Sequence, residues 1–291
     1  MSHAEPFIYC LNTSTIAKQK HTPLERFEIA SRAGYSAIEP WVRELDEHVA
    51  GGGKLSDLRR AAEGGGLKLS GLIGFFEWAV DDAARRAKGF EEAKRNMAQV
   101  AEIGGTQLAA PPWGIHAEGP FELAKVIERY RDLCELGDRM GVTPIVEFWG
   151  ASRHLSTLAE AAAIVVGCGH PRACLLADVF HLYRGGSSEA GLGKLAGASI
   201  GLFHVNDYPA SPPRGAINDF DRVWPGLGVA PVAPILKTLH AIGYRGALSV
   251  ELFNEAYYAM PAIDAAKAGL AAIRGCVAQA MASQPPTPAA R

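Results

Sequence analysis

Short apolar runs alternate with longer segments of helical spacing from one end of the chain to the other. Residues 7–12 (FIYCLN) form a compact apolar run, and 22–35 (TPLERFEIASRAGY) then place apolar residues three and four positions apart. Short runs bounded by turn residues suit buried strands, whereas the 3.6-residue period suits amphipathic helices. The same rhythm predicts further strands at 36–41, 67–75, 106–112, 143–149, 173–180, 199–207 and 246–253. Helices are predicted at 55–66, 89–105, 121–141, 157–169, 191–197, 230–244 and 262–282. Punctuation agrees: Thr22 suits an N-cap, Pro23 the first helical position and Gly34 a helix stop. The glycines at 64–66 also read as a helix stop. Neither they nor Gly51–Gly53 are followed by Lys-Ser/Thr or fit a dinucleotide fingerprint, so a phosphate cradle is not indicated.

Strands that each lead into a helix imply a parallel sheet. Eight such pairs, with no break in composition, predict a (β/α)8 TIM barrel. Residues 1–282 are then one catalytic domain, and 283–291 (SQPPTPAAR) a disordered tail. A doubly wound open sheet is the alternative for such alternation.

Composition narrows the function. The chain has 291 residues, 48% of them hydrophobic, and a net charge of −2. A protein whose main partner is nucleic acid needs a basic surface, which this balance does not supply. No apolar run approaches the roughly 20 residues that span a bilayer. The start, MSHAEPF, lacks a signal-peptide pattern. Five cysteines (Cys10, Cys134, Cys168, Cys174, Cys276) without a C-x-x-C pair read as reduced packing residues. The expected location is cytoplasmic, with neither nucleic acid nor membrane as partner.

Four polar residues stand at matching places in successive late strands: Glu147 in PIVEFW, Asp178 in CLLADVF, His204 in GLFHVND and Glu251 in LSVELF. In a (β/α)8 barrel the C-terminal strand ends converge on one mouth, where the active site lies. Three carboxylates so close would force protonation of some of them unless a cation intervened. Three oxygen donors and one nitrogen favour one divalent ion: Mn²⁺ or Mg²⁺, with Co²⁺, Fe²⁺ or Zn²⁺ tolerated.

This Glu, Asp, His, Glu pattern resembles the xylose-isomerase-like TIM-barrel superfamily of sugar isomerases and epimerases, over roughly residues 7–280. Asp178-Val-Phe-His181 is similar to that family's D-x-x-H signature, which implies that Asp178 binds metal and His181 binds substrate. The segments HVNDYPASPPRGAINDFDRVWPGLG (204–228) and GYRGALSVELFNEAYY (243–258) resemble, within the superfamily, the inosose isomerases of inositol catabolism. YPASPPRGAIN, with Arg214, and EFWGASRH, with Trp149, depart from that pattern near the expected mouth and bear on substrate identity.

The resemblance implies a metal-dependent isomerase of a polyhydroxy ketone of inosose type. Glu147 and Glu251 would exchange protons with adjacent carbons through an enediolate. Arg222 is expected either to hold substrate or to pair with Asp219 or Asp221. Asp207 is expected either to orient His204 or to anchor its loop. Glu39 either reaches the substrate or is structural, and Trp113, Trp149 and Phe75 could wall the pocket. His116, His154 and His240 are expected at the surface or in loops. The partner is a small polyhydroxylated substrate, with homo-oligomerisation left open. The rival activities on this frame are a ketose 3-epimerase or other sugar epimerase, a dehydroshikimate-dehydratase-like lyase, a C-glycoside-cleaving enzyme and an endonuclease-IV-like DNA repair enzyme. A non-catalytic sugar-binding module is a further rival.

Overall fold

Eight parallel strands form one sheet in the computed structural model, which describes residues 5–117 and 119–282. The tail expected at 283–291 lies outside the described residues. The strands are β1 (Ile8–Asn12), β2 (Ala37–Glu39), β3 (Lys68–Leu69), β4 (Gln107–Ala110), β5 (Thr143–Glu147), β6 (Cys174–Asp178), β7 (Ile200–Val205) and β8 (Ala247–Val250). They pair in the order β3-β2-β1-β8-β7-β6-β5-β4. The two ends of that order meet where the chain runs on past β3. The Leu72 N–H donates to the Gln107 carbonyl (3.2 Å), and the Ala109 N–H donates to the Leu72 carbonyl (3.0 Å). This parallel bridge between Leu72 and Leu108 closes the ring. The predicted strand at 67–75 is broken at Ser70 and Gly71, and glycine in a strand interior weakens pairing.

The α-helices, the longer of which cover the outside, are α1 (Pro23–Ala33), α2 (Val42–Ala50), α3 (Leu55–Gly64), α4 (Ala83–Glu102), α5 (Leu123–Met140), α6 (Leu158–Cys168), α7 (Val179–Arg184), α8 (Val232–Ala241), α9 (Glu255–Tyr258) and α10 (Ala262–Ala282). The expected cap of α1 forms as a capping box: Thr22 Oγ1 accepts from the Glu25 N–H (3.3 Å), and Glu25 Oε2 accepts from the Thr22 N–H (2.7 Å). Gly34 then takes φ 94°, the left-handed conformation that ends the helix. Helix α4 begins six residues earlier than its period suggested, where the Asp82 carboxylate caps the Arg85 N–H. The predicted helix at 191–197 is instead a pair of 3₁₀ turns, Glu189–Lys194 and Gly197–Ser199. Glycine at 191, 193 and 197 costs a helix roughly 1 kcal/mol per position. Helices α2, α7 and α9 are short segments that follow strand ends, and no periodicity announced them.

The interior of the barrel explains where the polar side chains go. Cys10, Ala37, Ile145, Leu176, Leu202 and Ala247 pack together inside the ring. Alternate residues of a strand share a face, so two positions further on the same face carries Asn12, Glu39, Glu147, Asp178, His204 and Ser249. One more step beyond Ser249 reaches Glu251. A second, larger apolar cluster fills the layer between strands and helices, including Phe27, Leu58, Met97, Leu133, Ile164 and Ile273. All five cysteines are buried and unpaired by disulfides, as packing residues should be. Among the described residues, no helix is long and apolar enough to cross a membrane.

Candidate metal centre and its cavity

Asp178, His204 and Glu251 present ligand atoms that all lie within 4.8 Å of one another, and all three are buried. Each arrives by a local device. Asp178 ends β6 and caps α7: its Oδ1 accepts from the N–H groups of Phe180 (2.6 Å) and His181 (3.1 Å). Asn206 donates to both its oxygens, at 3.2 and 3.1 Å. Its Oδ2 turns toward His204, 3.7 Å from Nδ1. Glu251 stands one residue past β8 and brings Oε2 to 3.2 Å from the same Nδ1.

His204 is oriented from the other side of its ring. Its Nε2 lies 3.0 Å from Glu39 Oε2, an oxygen that also accepts from Asn12 (2.9 Å) and Ser249 (2.6 Å). Glu39 therefore acts as an acceptor toward His204, which places a ring proton on Nε2 and turns Nδ1 toward Asp178 and Glu251. That nitrogen is buried and has no hydrogen-bond partner. A cation between the three side chains would supply one, and a metal-bound histidine usually donates its second N–H in this way. The donor set fits a divalent ion.

The field at that point favours positive charge. Burial alone would lower the His204 pKa, but Glu251 and Glu39 outweigh it and hold it well above the usual histidine range. Burial would likewise raise Asp178 and Glu251. The Arg222 guanidinium and His204 reverse both and hold these carboxyls below their ordinary values. Arg222 Nη1 reaches Asp178 Oδ2 (3.1 Å) and Glu251 Oε2 (2.8 Å), while Nη2 pairs with Asp219. Of the two pairings expected for Arg222, the one with Asp219 forms.

Glu147, the fourth expected ligand, is buried at the end of β5 and lines the cavity beside the three-residue cluster, as Glu251 does. Burial pushes its carboxyl up to about 8; His204 opposes the shift and Glu251 adds to it. His181 also faces the cavity. Its Nδ1 accepts from the Gly150 N–H (3.3 Å), and burial lowers its pKa. Gly150 has to be glycine, because a Cβ there would meet the Gly185 nitrogen at 2.4 Å and the His181 carbonyl at 2.7 Å.

The cavity above the cluster encloses about 360 Å³. Glu147, Trp149, His181, Arg222, Phe75 and Glu251 line it, whereas Asp178 and His204 lie beneath its floor. Glu39 is corrected as a substrate contact: it is fully buried under His204 and does not line the cavity. Trp113 is set one layer back, stacked on His116 (4.8 Å between centroids) and packed on Phe75 (5.2 Å). His116, expected at the surface or in a loop, stands in the turn after β4 and lines the cavity, as do Trp41 and Phe253. Asn12 went unnoticed as well, although it ends β1 on the same inward face as the carboxylates and could have been found by the same rule.

Asp207 anchors its loop and does not touch His204. It accepts from four backbone N–H groups: Tyr208 (2.7 Å), Ala230 (2.8 Å), Gly226 (3.0 Å) and Gly228 (3.0 Å). A Cβ at Gly228 would fall 2.2 Å from the Tyr208 carbonyl oxygen, so the turn around Asp207 closes only on glycine. This loop delivers Arg222 to the cluster.

Comparison with known proteins agrees with the geometry. Residues 27–276 match the family described as xylose isomerase-like TIM barrel, and the chain belongs to that family. An inosose isomerase of Bacillus velezensis is 28% identical over 270 residues, covering 89% of this chain and 92% of that protein. An inosose isomerase of Bacillus licheniformis is 35% identical over 140 residues, covering 48% of this chain. The matched region spans about half (50%) of the Bacillus licheniformis relative's length. A crystal structure of the IolI protein with a bound zinc atom superposes with a TM-score of 0.86 at 24% identity, covering 94% of this chain and 99% of that one. That likeness establishes the fold.

Proposed function

We propose that the protein is a divalent-metal-dependent isomerase of a polyhydroxy ketone, with an inosose-type compound as substrate. The observation that carries this reading is the unpartnered Nδ1 of His204, set between Asp178 and Glu251 under a cavity walled by Glu147. Asp178, His204 and Glu251 would hold the ion, Mn²⁺ by preference, with Mg²⁺, Co²⁺, Fe²⁺ or Zn²⁺ as alternatives. Once bound, the ion supplies Lewis acidity toward a substrate carbonyl and its neighbouring hydroxyl.

The chain's own groups do the proton work. Glu251, held ionised by His204 and Arg222, is the acceptor for the proton next to the carbonyl. Glu147, kept neutral near pH 7 by burial, can return a proton to the adjacent carbon. His181 and Arg222 border the cavity on the same side and would hold substrate oxygens in place. The relatives named inosose isomerase support the substrate class. A relative from Pseudomonas aeruginosa named 3-dehydroshikimate dehydratase, 26% identical over 81% of this chain, makes a lyase outcome the reading to test against.

The test is a panel of inososes, free ketoses and dehydroshikimate with Mn²⁺ in D₂O, followed by NMR. Deuterium at the product carbon that gains hydrogen, with an inosose turned over fastest, is the expected result. Epimerised ketose or dehydrated product as the main outcome reassigns the reaction. Complete retention of substrate hydrogen at low conversion removes the two-carboxylate mechanism.

A further inference from the structure

Closing the ring places β4 four strands from β8 in either direction, so the loop after β4 faces Glu251 across the mouth. His116 stands in that loop and lines the cavity. Its ring is held in place by its neighbours. Trp113 stacks on it at 17° with centroids 4.8 Å apart, and Trp149 meets it edge to face at 69° and 5.6 Å. Its Nδ1 accepts from the Gly114 N–H (3.2 Å), which leaves the ring proton on Nε2. Among the described residues, none accepts from that Nε2. Ser152 lines the same cavity from the loop after β5. Two hydrogen bonds tie the two loops together: the Arg153 N–H donates to the His116 carbonyl (2.8 Å), and His154 Nε2 donates to the Gly119 carbonyl (3.0 Å). The Ser152 hydroxyl donates to the His154 carbonyl, so Oγ is left as an acceptor.

A cyclic keto-polyol whose carbonyl sits over Asp178, His204 and Glu251 carries hydroxyls around its whole ring. The hydroxyl on the carbon opposite the ketone then points away from the cluster, across the mouth toward β4. A hydroxyl taken out of water without a partner opposes binding. Much of the wall on that side offers none: Phe75 is apolar, and the Trp41 indole N–H already donates to Asn12 Oδ1 (2.8 Å). His116 and Ser152 supply one N–H donor and one oxygen acceptor, the complement of a hydroxyl that both accepts and donates. A site built this way rejects an analogue lacking the hydroxyl, because its own polar groups are then left unpaired. Dehydroshikimate carries a methylene opposite its ketone, so the same pair would tell it from an inosose.

We infer that His116 and Ser152 set the substrate specificity of the site: His116 Nε2 donates to the hydroxyl opposite the substrate ketone, and Ser152 Oγ accepts from that hydroxyl. This rests on the reading of the cluster as a keto-polyol site with an inosose-type substrate, and the test separates the two.

The probes are a matched pair, an inosose and its analogue in which hydrogen replaces the hydroxyl opposite the ketone, titrated calorimetrically into the Mn²⁺-loaded protein. The inosose is expected to bind at least about tenfold more tightly than the analogue. His116→Phe keeps a ring against Trp113 but removes the donor. It should cut that ratio below about threefold by weakening the inosose while leaving the analogue nearly unchanged. Ser152→Ala should lower the ratio as well, with circular dichroism confirming the fold of each variant. A ratio near one in the wild type, or an equal loss for both compounds in His116→Phe, overturns the assignment. A ratio that survives either substitution removes that residue from it. Hydrogen exchange of the inosose with D₂O, catalysed by the wild type, reads the isomerase proposal separately. Exchange with a ratio near one keeps the isomerase and rejects the specificity pair. A tenfold ratio without exchange keeps the pair and rejects the isomerase. Binding of neither compound overturns both.

Discussion

Glu39 and His204 are 165 positions apart in sequence, yet Glu39 Oε2 lies 3.0 Å from His204 Nε2, both groups buried inside the barrel. This contact turns Nδ1 toward Asp178 and Glu251. Glu39→Gln should therefore weaken divalent metal binding by roughly 10–100-fold without loss of the fold, the usual cost of losing such a partner. Calorimetric titration of Mn²⁺ into both proteins measures it; equal affinities would remove the orienting role.

Metal should also stabilise the chain. With free ion at about 100 times its dissociation constant, binding to the folded state alone adds about 2.7 kcal/mol. Melting should rise by several degrees on adding Mn²⁺ and return on chelation, with one ion taken up per chain. An uptake near three ions would favour a DNA-repair-type trinuclear site instead.

Asn12 links the cluster to the cavity wall. Its Nδ2 donates to Glu39 (2.9 Å) and Glu251 (3.3 Å), while its Oδ1 accepts from the Trp41 indole (2.8 Å) and the Ser14 N–H (2.9 Å). Asn12→Asp keeps the shape but sets a carboxylate against two others, which raises their tendency to take up protons. The variant should lose metal affinity and shift Trp41 fluorescence. Asn12→Ser should keep more of the affinity than Asn12→Asp. The reverse order would show that charge is not the cause.

The Arg222 loop depends on Asp207. Removing its carboxylate leaves four backbone donors without an acceptor, and each buried unpaired group costs about 1–3 kcal/mol. Asp207→Ala should thus destabilise by several kcal/mol, and Asp207→Asn by less. Urea unfolding gives the comparison, and a change of under about 1 kcal/mol for the alanine variant would show that the loop holds itself.

At the surface, hydrogen bonds from Arg95 depress the Asp46 pKa. The folded pKa lies below the unfolded value, so the contribution to stability is present above about pH 4 and is lost as pH falls through the folded pKa. Both side chains are more than 40% exposed (45% and 44%), so solvent screening keeps the effect small. Arg95→Gln should be slightly less stable than wild type at pH 7, with the gap closing near pH 2–3 in acid-unfolding curves. A gap that stays constant with pH would assign the loss to packing.

The strand positions were legible because a buried strand writes a local pattern. Leu176 and Asp178, or Leu202 and His204, lie two residues apart on one face, and the change from apolar to polar marks the end of the barrel interior. The capping box at Thr22 and the helix stop at Gly34 were legible for the same reason, since each is decided within a few residues. The predicted helix at 191–197 failed where glycines outweighed a weak period. Helices α2 and α7 were missed because each is shorter than the window in which a period shows.

By itself, then, the sequence determined eight strands, the last four of which end in Glu147, Asp178, His204 and Glu251 on one side of a barrel. Alternation and burial fix that much along each strand separately. Only the tertiary structure decided which of those ends touch. It put Glu39 under His204 and off the cavity wall, Asp207 on its own loop, and Glu147, Trp41, His116 and Phe253 around the cavity. Such contacts depend on closing the ring, which brings β1 beside β8 and sets side chains from distant segments within hydrogen-bond reach, a relation that no local pattern encodes.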